Sequence, residues 1–267
     1  MGSLRDDGDL LADPWTPRRG ATSRLGGVPV DIDSLEAAVA PARQMLLLDA
    51  PEPSRATTEV LPGVVHVPDW LDDAAQRSLV AEFRQWARPP AGLRHPRVPA
   101  GHVMSTMAVC LGWHWSPYAY SRTADDTDGA PVTPMPASVD ALARRAVVEA
   151  YGPDSPETHG YEPDAGIVNL YPPGAHLGLH QDGEEPATTP VVTISLGDTC
   201  TFRMAGVDRR TAPFTDVELR SGDLLVFGRE NRRIFHGVPK VLDATAPEGL
   251  GLPPGRLSIT VRHTGFT

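Results

Sequence analysis

His180 and Asp182 are separated by one residue, and His236 follows 54 positions after the aspartate. Two neutral imidazoles and one carboxylate on one face of a divalent iron leave the opposite face open, an arrangement suited to activating O2. A His-x-Asp triplet arises by chance on the order of once in a chain of this composition, so its surroundings must decide. In Gly174-Ala-His-Leu-Gly-Leu-His-Gln-Asp182, apolar residues at 175, 177 and 179 alternate with 176, 178 and 180, which is the period of a strand. Residues two apart on a strand share a side, so His180 and Asp182 are expected to chelate together at a strand end. His236 closes a short apolar run, Arg232-Arg-Ile-Phe-His236, ahead of Gly237, and reads as delivered by a second strand over 232–236. His66, His95, His102, His114, His159, His176 and His263 show no comparable pairing and read as surface or packing residues.

A second constellation closes the chain. In Arg256-Leu-Ser-Ile-Thr-Val-Arg262, the residues Leu257, Ile259 and Val261 alternate with Arg256, Ser258, Thr260 and Arg262. One reading is an amphipathic strand with a solvated polar face. The other is an anion clamp, because the planar fork of arginine matches carboxylates in bidentate fashion, and a dicarboxylate cosubstrate fits two such forks flanking two hydroxyls.

Taken in order, Asn169-Leu-Tyr171-Pro-Pro-Gly174, His180-Gln-Asp182, His236-Gly and Arg256-x-Ser-x-Thr-x-Arg262 closely resemble the AlkB family of Fe(II)- and 2-oxoglutarate-dependent dioxygenases. The resemblance covers roughly residues 61–267. It implies that His180, Asp182 and His236 hold Fe(II), and that Asn169 and Tyr171 help hold 2-oxoglutarate. Arg256 would take the distal carboxylate and Arg262 the end near the metal. The family commonly has asparagine where this chain has Ser258, a departure that bears on how tightly the cosubstrate is held. The segment from Val103 to Ser121, with its Leu111-Gly-Trp113 and the tyrosines Tyr118 and Tyr120, resembles the nucleotide-recognition lid of these enzymes. There the matching tryptophan stacks on the extruded base opposite the iron-bound histidine, which would pair Trp113 with His180. Stacking of this kind contributes about 1–3 kcal/mol per base. The alternative is that Trp113, Trp115, Tyr118 and Tyr120 pack the junction between helices and sheet. Glu184 matches a position, usually acidic, that contacts the exocyclic amine of the base; otherwise it is a solvated turn residue. The implied reaction is oxidative demethylation of bases such as 1-methyladenine and 3-methylcytosine in single-stranded DNA or RNA. It consumes 2-oxoglutarate and O2 and releases succinate, CO2 and formaldehyde.

The elements that must position these groups are legible as patterns. Residues 1–60 mix prolines, glycines and acidic groups and read as an extension, partly disordered or docking. Within it, 34–40 reads as a short helix and 44–48 as an apolar docking patch. From Pro68 the period becomes helical, with Leu71, Ala75, Leu79, Phe83 and Trp86 on one face. A second helix is expected over 137–151, burying Val139, Leu142, Ala146 and Val147 and stopping at Gly152. Eight strands follow, at 165–171, 175–181, 190–196, 199–204, 215–220, 223–228, 232–236 and 256–262. Eight short strands match a double-stranded β-helix, a cupin-like jelly roll, in a mainly β chain with flanking helices. The dioxygenase domain would be 61–267, with a lid at about 90–135 and the jelly-roll core at 163–267.

The 267 residues can bury a substantial core as one domain plus the extension. No apolar run approaches the roughly 20 residues of a membrane span, and the N-terminus lacks the layout of a signal peptide. A monomer of the cytoplasm or nucleoid, with no membrane partner, is the expectation. Cys110 and Cys200 are far apart and form no Cys-x-x-Cys pair, so they read as reduced, buried thiols. The net charge of −10 should repel a polyanion. Residues 203–262 carry ten basic and seven acidic groups, leaving −13 elsewhere, so nucleic acid would be met by a local patch drawn from Arg203, Arg209, Arg210, Arg229, Arg232 and Arg233. Two other classes stay open: an oxygenase acting on a protein or small molecule, and a noncatalytic cupin-like sensor.

Overall fold

A computed structural model describes residues 26–36, 55–99 and 101–267. In chain order these form β1 (Val28–Pro29), α1 (Ile32–Glu36), β2 (Thr58–Leu61), β3 (Val64–Val67) and α2 (Asp73–Trp86). Next come β4 (Arg94–His95), β5 (Met107–Leu111), β6 (His114–Ser116), β7 (Ala119–Ser121) and α3 (Ala137–Tyr151). The remaining strands are β8 (Ala165–Tyr171), β9 (Leu177–His180), β10 (Val191–Gly197), β11 (Thr199–Met204), β12 (Thr215–Leu219), β13 (Leu224–Phe227), β14 (His236–Leu242) and β15 (Arg256–Arg262).

Two sheets build the β-helix. The larger runs β1-β4-β5-β8-β15-β10-β13-β3-β2 and the smaller β12-β11-β14-β9. Strict alternation gives the large sheet two different faces. On β15, Leu257, Ile259 and Val261 join Val192, Ile194 and Leu196 of β10 and Leu224 and Val226 of β13 in a core shared with Leu79, Val80 and Phe83 of α2 and Val139, Ala143 and Val147 of α3. The opposite face looks between the sheets, where Tyr171, Val191, Leu225 and Phe227 pack against Phe202, Met204 and Leu219 of the small sheet. Burying each such aliphatic side chain contributes about 1.5–3 kcal/mol, so a one-residue slip of any central strand would cost most of that face.

Helix α2 starts where the side chain of Asp72 accepts from the Ala75 N–H at 2.8 Å, capping a free amide of the first turn. Helix α3 ends at Gly152, whose φ of 88° an L side chain rarely adopts; Ala143, rather than Leu142, lies fully in the core beneath it. No helix among the described residues is long and apolar enough to cross a membrane.

Three expectations need correction. Residues 232–235 are not a strand: a 3-10 turn at Arg229–Asn231 precedes them, and His236 opens β14 instead of ending a strand. Gly237 does not terminate the run either. A Cβ there would stand 2.6 Å from the Leu177 carbonyl oxygen, so the glycine lets β14 close onto β9. Much of the expected lid is also sheet, since β5 pairs with β8 and buries Val109 and Leu111 in the helix-side core; among the described residues, only the hairpin β6–β7 stands apart from both sheets. The short N-terminal helix is Ile32–Glu36, and the rest of 34–40, like the apolar patch at 44–48, lies outside the described residues. Around it, β1 pairs with β4 and Ile32 is buried in the core, so this part of the extension docks on the sheet edge.

Candidate metal and cosubstrate site

His180 ends β9 and His236 begins β14, and the two are direct cross-strand partners. That register brings residues far apart in sequence together, their rings 4.5 Å apart between centroids. Asp182 lies just beyond β9, with Oδ1 3.7 Å from His180 Nε2 and Oδ2 3.9 Å from His236 Nε2. One ligand atom from each residue falls within 4.8 Å of the others.

Both histidines are oriented the same way. His180 Nδ1 is 3.0 Å from the Gly178 carbonyl and His236 Nδ1 is 2.9 Å from the Ile234 carbonyl. Donation of Nδ1–H to those oxygens leaves each Nε2 unprotonated and free to ligate. Burial, with the charge of His180, pushes His236 down to about 4, so its imidazole is in the neutral ligand form at physiological pH. Burial alone would raise Asp182; the Arg262 guanidinium, aided by the two histidines, instead holds its carboxyl well below the usual range. Two neutral nitrogens and an ionised carboxylate converging on one point are a donor set that fits a divalent iron.

The polar face of β15 is not solvated. Arg256, Ser258, Thr260 and Arg262 are 0%, 4%, 9% and 5% exposed, because they point between the sheets. Arg256 donates Nε–H to Ser195 Oγ at 3.0 Å and lies 5.1 Å from the Tyr171 ring, yet its two Nη atoms have no hydrogen-bond partner. A buried guanidinium fork left unpaired costs several kcal/mol, and a bound carboxylate removes that cost. Tyr171 is pushed up to about 12 by burial, against the pull of Arg256, so it stays a neutral hydroxyl beside that fork. Asn169 pairs in register with Ser258 and faces the pocket described below. Arg262 is engaged: Nη2 is 2.7 Å from Asp182 Oδ2, and Nε is 3.4 Å from Glu185 Oε1.

Glu185, 2% exposed, was not visible as a site residue in the sequence. It accepts from the Tyr120 hydroxyl at 2.5 Å and also pairs with Arg232, whose Nη1 donates to the Asp182 carbonyl. No local pattern marks it, since its three partners come from 120, 232 and 262.

A pocket opens over His180 and Asp182. Its walls include Trp115, Tyr118, Asn169, Glu184 and Arg262. Burial, reinforced by Asp182 and Glu185, pushes the Glu184 carboxyl up. Trp113 is elsewhere. It sits in the turn after Gly112, donates Nε1–H to Asp164 at 3.1 Å, meets Phe266 edge-on at 5.2 Å and carries the Arg122 guanidinium 3.5 Å over its ring. The expected pairing of Trp113 with His180 is therefore not what the structure shows; Trp115, two residues on, lines the pocket.

The expected arginine patch is also largely neutralised or buried. Arg203 pairs with Asp216, Arg229 with Glu157, and Arg232 is buried at the site. Arg210 donates to the Leu179 carbonyl, and its guanidinium lies 5.5 Å from the Phe235 ring. Arg209 and Arg233 remain exposed, with no acidic partner among the described residues.

Comparison with known proteins bears on this geometry. The profile of the 2OG-Fe(II) oxygenase superfamily matches residues 63–262. The DNA N(6)-methyladenine demethylase ALKBH1D of Arabidopsis thaliana is 33% identical over 80% of this chain, which spans only 54% of that protein's length. The alpha-ketoglutarate-dependent dioxygenase AlkB of Escherichia coli K12 is 36% identical over 62% of this chain and 75% of its own. Among solved structures, OsALKBH1 superposes with a TM-score of 0.69 at 31% identity, over 78% of this chain and all of that one. With these matches spanning both the β-helix and its ligand-bearing strands, the chain belongs to the AlkB family of the 2OG-Fe(II) oxygenase superfamily.

Proposed function

We propose that this protein is an Fe(II)- and 2-oxoglutarate-dependent dioxygenase that removes methyl groups from alkylated bases of nucleic acid. The observation that carries the reading is the pocket over His180 and Asp182, walled by Trp115, Tyr118, Glu184 and Arg262, together with the buried, unpaired fork of Arg256 on the same strand as Arg262. Iron with 2-oxoglutarate and O2 supplies the oxidising power, so that the cosubstrate leaves as succinate and CO2 and the hydroxylated methyl group leaves as formaldehyde.

The chain's own residues bind and orient. His180, Asp182 and His236 would hold the metal. The Arg256 fork, with Tyr171 beside it, receives the distal carboxylate of the cosubstrate, and Arg262 with Asn169 receives the end near the metal. Ser258 lies between the two arginines on the same buried face of β15. Trp115 and Tyr118 flank the base, and Glu184 faces its exocyclic amine. A base within a duplex cannot reach this pocket, so the substrate is a single strand or a flipped nucleotide. With Arg209 and Arg233 the two arginines of the expected patch that stay exposed without an acidic partner among the described residues, oligonucleotide binding is weak, with a salt slope of only about two to four phosphate contacts.

The test supplies the iron-loaded full chain with 2-oxoglutarate and single strands carrying 1-methyladenine, 3-methylcytosine or N6-methyladenine, the last because the Arabidopsis relative is named for it. Succinate and formaldehyde in equal amounts, with less from duplexes, is the expected result. The net charge of −10 favours the second reading, a peptide or small-molecule substrate. Turnover with such a substrate, and none with any oligonucleotide, would overturn the nucleic-acid reading and keep the oxygenase. Failure to consume 2-oxoglutarate under any condition would overturn both.

A further inference from the structure

The hairpin β6–β7 has two strands of three residues and joins neither sheet. A ribbon this short is marginal by itself, yet it carries Trp115 into the pocket. At its base lies a buried cluster with no part in binding iron or cosubstrate. Arg94 comes from β4, Cys110 from β5, His114 from β6 and Asp126 from the following loop, and all four are 5% exposed or less. Arg94 Nε is 3.0 and 2.9 Å from the two oxygens of Asp126, and His114 Nε2 is 2.6 Å from Oδ1 of the same carboxylate. Arg94 Nη1 reaches the Ala108 carbonyl at 3.1 Å and Cys110 Sγ at 3.7 Å.

Both polar backbone groups of Trp115 end on this cluster. Its N–H donates to Cys110 Sγ at 3.3 Å, and its carbonyl accepts from Arg94 Nη2. Its cross-strand partner is Tyr120, whose hydroxyl reaches Glu185 and so the network holding Asp182. We propose that the Arg94–Asp126–His114–Cys110 cluster is a positioning site that fixes Trp115 over the metal pocket and thereby sets the affinity for the substrate base. The assignment rests on the demethylase reading of that pocket.

Stability alone is a weak reason for such a cluster. Replacing buried ion pairs by apolar groups of similar volume is often neutral or stabilising, and one well-attested use of buried charge is to specify a single arrangement. The polarisation of the cluster fits that use. Burial opposes ionisation of Cys110, but the Arg94 charge with His114 lowers the thiol to about 7, and Asp126 raises His114 to about 8 against its own burial. A sulfur with thiolate character is a stronger acceptor for the Trp115 N–H.

Cys110→Ala and Arg94→Lys test this, the first removing the acceptor of the Trp115 N–H with little change in volume and the second removing the fork. The full iron-loaded chain is labelled with 5-fluorotryptophan, the Trp115 and Trp113 resonances being assigned by Trp115→Phe and Trp113→Phe. In Cys110→Ala the Trp115 resonance should shift and broaden while that of Trp113 stays in place. With a methylated oligonucleotide, KM should rise about five- to tenfold, as partial loss of stacking requires, while the KM for 2-oxoglutarate and its substrate-free turnover stay the same. Arg94→Lys should do the same or more. A Trp115 resonance and oligonucleotide KM both unchanged in Cys110→Ala would overturn the proposal. So would parallel changes at Trp113 and in the 2-oxoglutarate KM, which would show general loosening. The resonance measurement needs no substrate, so a protein that demethylates nothing still reports on whether the cluster holds Trp115.

Discussion

Two of the three metal ligands, His180 and Asp182, line the same pocket as Trp115, but the triad and the tryptophan stand on very different supports. His180 and His236 sit on paired strands of a sheet packed against an apolar interior of Phe202, Met204, Leu219 and Phe227. Trp115 sits on a detached hairpin tied down by a few buried polar bonds. The first support comes from the β-helix itself, so the ligands are preorganised without the metal. The second is a local device that can be altered without disturbing the barrel. Affinity for iron and affinity for the base should therefore be separable by mutation.

The largest separation should come from the ligands. His236→Ala should lower Fe(II) affinity by more than about 100-fold and abolish turnover while the circular dichroism stays that of the folded chain. A full equivalent of tightly bound iron in this variant, measured by metal analysis, would break the assignment.

Next is the cosubstrate fork. Arg256→Met removes charge-assisted bonds of roughly 1.5–3 kcal/mol, so calorimetric 2-oxoglutarate affinity should fall about 10- to 100-fold. Because its Nη atoms have no hydrogen-bond partner within the protein, Tm without 2-oxoglutarate should not fall. A large drop in Tm with unchanged 2-oxoglutarate affinity would make Arg256 purely structural.

A smaller effect distinguishes the two tryptophans. Trp113→Ala loses its bond to Asp164 and its contact with Phe266, so stability should drop by about 1–3 kcal/mol while the oligonucleotide KM stays within about twofold. Trp115→Ala should show the reverse, with KM raised about tenfold or more. If Trp113→Ala raises KM and Trp115→Ala does not, the hairpin assignment is inverted.

The smallest effect lies in the barrel's outer anchor. Asp223 pairs with Arg55 at 2.7 Å and with His66 at 2.9 Å. Against its burial, these partners lower its carboxyl from 3.8 to about 2. A depressed carboxyl stabilises the fold above its unfolded value and loses that contribution as pH falls through its folded one. The Tm advantage over Asp223→Asn should thus be constant above about pH 4 and shrink between 3.8 and 2. An advantage independent of pH would show that the carboxylate charge contributes nothing.

What the sequence could determine by itself was whatever depends on a short period. The alternation of β15 assigned Leu257, Ile259 and Val261 to one face and the two arginines to the other. The same reasoning located seven of the eight expected strands within a few residues, with 232–236 the exception, and the spacing of His180 and Asp182 named the donor types. Tertiary structure decided which groups meet. The β9–β14 register set His236 against His180, and Gly237 served close packing where the sequence suggested a stop. The Gly112 turn sent Trp113 to Asp164 and left Trp115 facing the pocket. Arg203 and Arg229 were neutralised by acids 13 and 72 residues away in sequence, and Glu185 became the link between lid and metal carboxylate. The physical reason is common to all of these. Which face a side chain occupies follows from local backbone geometry, whereas its partner follows from strand register and turn conformation, which only the sum of long-range contacts selects.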